Sequence, residues 1–143
     1  MNIIEQIKIP EIKNFTIESL VRHGDGTSTE IAEKVAEVVY AQLEEKGLIS
    51  EQANQSFVDV VISAALLHDL FKTEEWIFIF DARRYLTEVA ERVGLPESAQ
   101  NAIFETIEAQ LGDKTPIAKL RPQPGTPTEL FAYAVWFVNK YLI

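Results

Sequence analysis

The chain has no cysteine among its 143 residues. That excludes disulfides, thiolate zinc sites and catalysis by a cysteine nucleophile. It is also short of positive charge, with 13 Lys and Arg against 22 Asp and Glu and a formal net charge of −9. A chain this acidic repels phosphate backbones and anionic membranes, so neither nucleic acid nor a membrane is expected as a partner. A local basic patch still leaves room for one small phosphate group. Long apolar runs are missing, and none approaches the ~20 residues that span a bilayer. Residues 1–11 lack the basic segment, apolar stretch and small-residue cleavage site of a signal peptide, so a cytoplasmic protein is expected. There is no internal repeat and no low-complexity tract. What is present is hydrophobic content of 47%, which argues against global disorder. The length suits one domain with one core over residues 1–143.

The periodicity predicts an all-α bundle of about six helices. Residues 14–22 form a short first helix, and His23-Gly24-Asp25-Gly26 makes a loop. Thr27 with Glu30 has the form of a capping box. Ile31, Val35, Val38, Val39 and Leu43 then recur at helical spacing until Gly47. Ser50 can cap the next helix, whose apolar face runs Phe57, Val60, Val61, Ala64, Leu67. Trp76-Ile77-Phe78-Ile79-Phe80 fits a buried strand or a helix start equally well. A helix over 82–92 follows, closed by Gly94. Pro96 suits the first turn of a helix that carries Ala99, Ile103, Ile107 and Leu111 inward and ends at Gly112. Residues 113–126 form a long loop with Lys114, Lys119 and Arg121, and loops of that length are often functional. Thr126, Pro127 and Glu129 signal the start of the last helix.

One run stands out: Ala64-Ala65-Leu66-Leu67-His68-Asp69-Leu70-Phe71-Lys72. An apolar helix ends in an adjacent His-Asp pair, two metal-ligand types that are costly to bury without compensation. With Lys72 three positions after the aspartate, the run resembles the signature of the HD superfamily of metal-dependent phosphohydrolases. The segments Ile107-Glu108-Ala109-Gln110-Leu111-Gly112 and Thr126-Pro127-Thr128-Glu129-Leu130-Phe131 resemble one branch of it, with a Pro-rich loop between the last two helices. The likeness spans roughly residues 23–142, but its specific motif is two residues long.

The resemblance implies a metal centre inside a helical bundle. His68 and Asp69 would bind a divalent metal (Fe, Mn, Ni or Zn), with His23 swinging in from its loop. Asp69 would also help deprotonate a metal-activated water. Lys72 and Arg121 would hold the phosphate of a small phosphorylated molecule or nucleotide, with Gln110 and Trp136 as further substrate contacts. Four of the family's positions are altered. Val35-Ala36-Glu37 fits the frame His-x-x-x-Val-Ala-Glu, which puts Ile31 where the first histidine stands. The branch's histidine before the loop falls on Gln110. The last helix's His-x-x-Asp falls on Tyr133 and Trp136, and an indole there would fill the metal's volume. Two ligands do not hold zinc, iron or manganese tightly. Asp81, Glu105 and Glu108 are chemically competent replacements.

A second reading is a metal-free, catalytically inactive HD-fold module that binds a ligand or partner. Under it, His68 is a hydrogen-bonded core histidine and His23 an exposed loop residue. Glu105 and Glu108 lie on a solvated helix face, and Lys72, Lys114, Lys119 and Arg121 are surface charge. Trp136 packs in the core, and so do Trp76 to Phe80 unless an exposed Trp76-Phe78-Phe80 edge forms a homodimer contact. A third reading, a purely structural or interaction module, rests only on the C-terminal likeness.

Overall fold

The computed structural model describes residues 2–70, 78–114 and 118–143, and not the side chains of 78–82, 111, 113 and 114. Among the described residues there are six α-helices and no strand, an all-α bundle. The helices are α1 (Pro10–His23), α2 (Glu30–Glu45), α3 (Gln55–Leu67), α4 (Phe78–Val93), α5 (Glu97–Glu108) and α6 (Pro127–Phe137). Short 3-10 turns precede α1 and α3 and follow α5, and a π-helical turn, Val138–Leu142, follows α6. No described helix is long and apolar enough to cross a membrane.

The centre of the bundle is α3. Every residue from Val58 to Leu67 is buried, so α3 beyond its first turn has no solvent face, unlike the one-sided helix that its spacing predicts. A helix apolar all round must be enclosed. Here α1, α2, α5 and α6 enclose it. The core runs from Ile3 and Ile7 through Phe15, Val39, Leu86 and Ile103 to Phe131 and Val138.

Helix starts differ most from expectation. Helix α1 begins at Pro10 rather than residue 14, because a remote side chain caps it. The buried Asp59 carboxylate of α3 accepts from Lys8 N at 3.1 Å and Ile9 N at 2.6 Å, and from Gln55 Nε2 at 2.6 Å. These amides precede the Pro10 turn, where no intrahelical acceptor exists. The cap of α2 is Thr29, not Thr27, with Thr29 Oγ1 accepting from Ala32 N at 3.2 Å. Thr27 is held by Asp25, whose carboxylate takes both its amide and its hydroxyl. Ser50 caps nothing, since a 3-10 turn, Gln52–Asn54, leads into α3. At α6 Thr126 is the cap residue, but its hydroxyl donates to Gln123 O at 2.8 Å, so no capping box closes. Pro96 stands just before α5 rather than inside it. Of the ambiguous aromatic segment, residues 78–80 are helical, while 76–77 lie outside the described residues.

Helix ends follow the glycines more closely. Gly47 has φ 71°, and the bonds Gly47 N to Glu44 O and Leu48 N to Leu43 O close a Schellman turn. Helix α4 stops before Gly94. Helix α5 ends at Glu108 and passes into a 3-10 turn, Ala109–Lys114.

Replacing Asp59 with Ala leaves the donors of three part-buried hydrogen bonds without their acceptor. We expect a loss of about 3 kcal/mol in urea unfolding. Burial lifts the Asp59 carboxyl above its ordinary value of 3.8, against the pull of its amide partners. A raised folded value means that protonation favours the fold. The wild type should therefore gain stability relative to Asp59→Asn as pH falls through the raised value towards 3.8. A flat difference between the two proteins over pH 7 to about 4 would refute this.

Candidate functional site

The His-Asp pair sits in the turn that ends α3. His68 is the C-terminal cap residue and only 6% exposed. Its Nδ1 lies 2.6 Å from Ala65 O. A carbonyl can only accept, so Nδ1 carries the proton and a neutral ring presents Nε2 as its acceptor. That is the tautomer metal-ligating histidines hold. The ring meets the edge of Phe131 from α6, with centroids 5.3 Å apart at 73°. Asp69 Oδ2 accepts from Thr29 Oγ1 at 2.6 Å. Thr29 thus caps α2 with its oxygen and donates its proton to Asp69. A carboxylate near the N-terminus of α2 also suits the helix dipole.

The loop after α1 closes over the same turn. Gly24 is extended, with φ −143°, so its role is spatial. A Cβ there would stand 3.0 Å from Leu20 O and 3.1 Å from Leu70 Cδ1. The next residue back, His23, is half-buried and faces α4, with its ring 5.8 Å from that of Tyr85. Desolvation, and then the adjacent Arg22, lower its pKa.

The remaining expected residues divide between two cavities on either side of the 118–126 loop. Gln110 and Trp136 come together in one of about 630 Å³, with Tyr133, Glu129, Asn139, Pro122 and Pro124. Arg121 lines the other, of about 670 Å³, with Lys119, Arg83, Glu105 and Glu108. Neither cavity is lined by His68 or Asp69. Lys72 and the side chains of Asp81 and Lys114 lie outside the described residues.

Two sequence expectations are corrected. Trp136 is 48% exposed, so it neither packs in the core nor fills a metal's volume. Phe131, five residues earlier, is the ring against His68. An offset of five residues turns by about 140° and places the two on different faces of α6. Glu108 is not on a solvated face but 3% exposed. Arg83 binds it through Nη2 at 2.6 Å and Nε at 3.0 Å, and lies over the Phe104 ring at 5.3 Å. The Glu108 hydrogen bonds raise the guanidinium pKa further. Glu105 is exposed as expected. Sequence reading missed Arg83, because a partner 25 residues away leaves no local trace. It missed Thr29 as well, although a threonine directly before the Glu30 start of α2 was a usable signal.

Among the described residues, the donors at this turn are fewer than a divalent metal site needs. Among the described residues no three His, Asp or Glu side chains converge as a metal site. Position 31 is hydrocarbon, position 136 is indole at the surface, and His23 contacts Tyr85. Comparison with known proteins finds no matching family model, no matching curated sequence and no matching solved structure.

Thr29→Val removes both the α2 cap and the link to Asp69. It should cost about 1–2 kcal/mol in chemical denaturation. Asp69→Asn, which keeps an acceptor for Thr29, should cost clearly less; equal costs would mean that the cap contributes nothing. Glu108→Ala should cost about 2 kcal/mol, below the figure for a fully buried pair, because Arg83 can still reach water.

Proposed function

We propose that this chain is a metal-free HD-like helical module that binds a ligand or partner, rather than a metal-dependent phosphohydrolase. The observation that supports this reading is the surroundings of His68 and Asp69. The histidine keeps the tautomer of a ligand, but the ring it meets is Phe131. The aspartate serves the start of α2 through Thr29. The pair joins α2, α3 and α6 where a metal centre would need a third and fourth donor. Hydrolysis through a metal-bound water needs three protein ligands and an open position, and the described donors supply two.

Elemental mass spectrometry on protein purified without chelator tests this, beside a His68→Ala control. The expected result is well below one metal equivalent in both samples. His68→Ala should lose about 1–3 kcal/mol of stability, the cost of a buried hydrogen-bonded group. About one equivalent of iron, manganese, nickel or zinc in the wild type, lost in the variant, would overturn the reading and restore the phosphohydrolase.

A further inference from the structure

We propose that the cavity between α6 and the 118–126 loop, the one that holds Gln110 and Trp136, binds a small protonated amine with a carbon body. The proposal rests on the module reading above and gives it a ligand class. The charge is opposite to that of the phosphate which the family resemblance implies.

Electrostatics select a cation. Glu129 is the only charged side chain among the described lining residues. Its carboxylate makes no ion pair among the described residues and accepts only a long contact from Gly125 N, at 3.5 Å. The chain's net charge of −9 adds a long-range attraction for cations. The one cation on α6 and its continuation is Lys140. It sits about 16 Å from Glu129 along the helix axis, roughly twice the Debye length at physiological salt. It therefore does not neutralise the carboxylate.

The walls select an amine. Glu129, Tyr133 and Trp136 recur at helical spacing and share one face of α6. Tyr133 and Trp136 are 46% and 48% exposed. Their ring centroids are 5.7 Å apart at 45°, an open aromatic corner next to the carboxylate. The indole already takes an ammonium, since Lys140 Nζ stands 5.1 Å from its centre, within cation–π reach. Lys140 does not line the cavity, so the part of the indole that does is left for a ligand. Two amides add acceptors. Gln110 Nε2 donates to Ile107 O and Asn139 Nδ2 to Val135 O, which leaves each side-chain oxygen as the accepting end. A carboxylate and two amide oxygens suit a cation that carries N–H donors, not a quaternary one. Pro122 and Pro124 complete an apolar wall, and about 630 Å³ falls in the range of small-molecule sites.

Amide and indole NMR of the full chain tests the proposal, with phenethylamine and its neutral isostere phenethyl alcohol as probes. Saturable one-site shifts are expected for the amine at the Trp136 indole and at the Gln110 and Asn139 side-chain amides, with the alcohol about tenfold weaker or more. Glu129→Gln should weaken the amine by about tenfold, and Trp136→Leu by about threefold. Both positions are exposed, so folding is not at stake. Glu45→Gln makes the same change in net charge at an exposed position on α2 and should leave binding unchanged. His68→Ala should also leave it unchanged. The proposal is overturned by no saturable binding of the amine, by equal affinity for amine and alcohol, by equal weakening in both glutamate variants, or by shifts that map away from this cavity. Failure of the metal-free reading shows in the metal content and failure of this site in the amine titration, so the two are told apart.

Discussion

The structure depends on one constraint: α3 carries apolar residues on every side, so four other helices must surround it. Polar groups on such a helix cannot reach water and must find partners in the shell. Asp59 near its start finds the amides of Lys8 and Ile9, and so sets where α1 begins. Ser63 in its middle meets Thr16 of α1 at 2.7 Å. His68 and Asp69 at its end meet Phe131 and Thr29, which ties α6 and the start of α2 to the same rod. The placement of three other helices is thus written into the few polar positions of α3.

This gives the His-Asp pair a structural use that does not need a metal. Its resemblance to the HD signature and its role as a joint are compatible, because a metal-ligand pair and a joint would both sit where helices converge. What changes the chemistry is the rest of the shell. Ile31 and Phe131 offer hydrocarbon, and Trp136 lies at the surface against Tyr133 and Lys140. Two cavities flank the 118–126 loop, against α4, α5 and α6. There an acidic chain gathers cations around one cavity and aromatic rings around the other.

Much of the architecture was legible in the chain. Helical spacing and glycine stops located most elements, since both depend on residues within a turn or two of each other. The start of α1 was not legible, because its cap is 50 residues away at Asp59. Nor was the cap of α2, because Thr27 and Thr29 compete and the contest is decided by Asp25 on one side and Asp69 on the other. In the site, Arg121 was expected beside Gln110 and Trp136, and their division between two cavities was not legible, because it depends on how the 118–126 loop packs against distant helices.

The sequence by itself determined the helical class, the exclusion of thiol chemistry and the exceptional character of the His68–Asp69 turn, because composition and local periodicity carry these. Only the tertiary structure decided which ring faces His68, that Trp136 is a surface residue, and that Glu108 is a buried partner of Arg83 rather than a solvated charge. The physical reason is the same in each case. Helical periodicity says which residues share a face, but whether that face meets water, hydrocarbon or an opposite charge is set by helices distant in the chain.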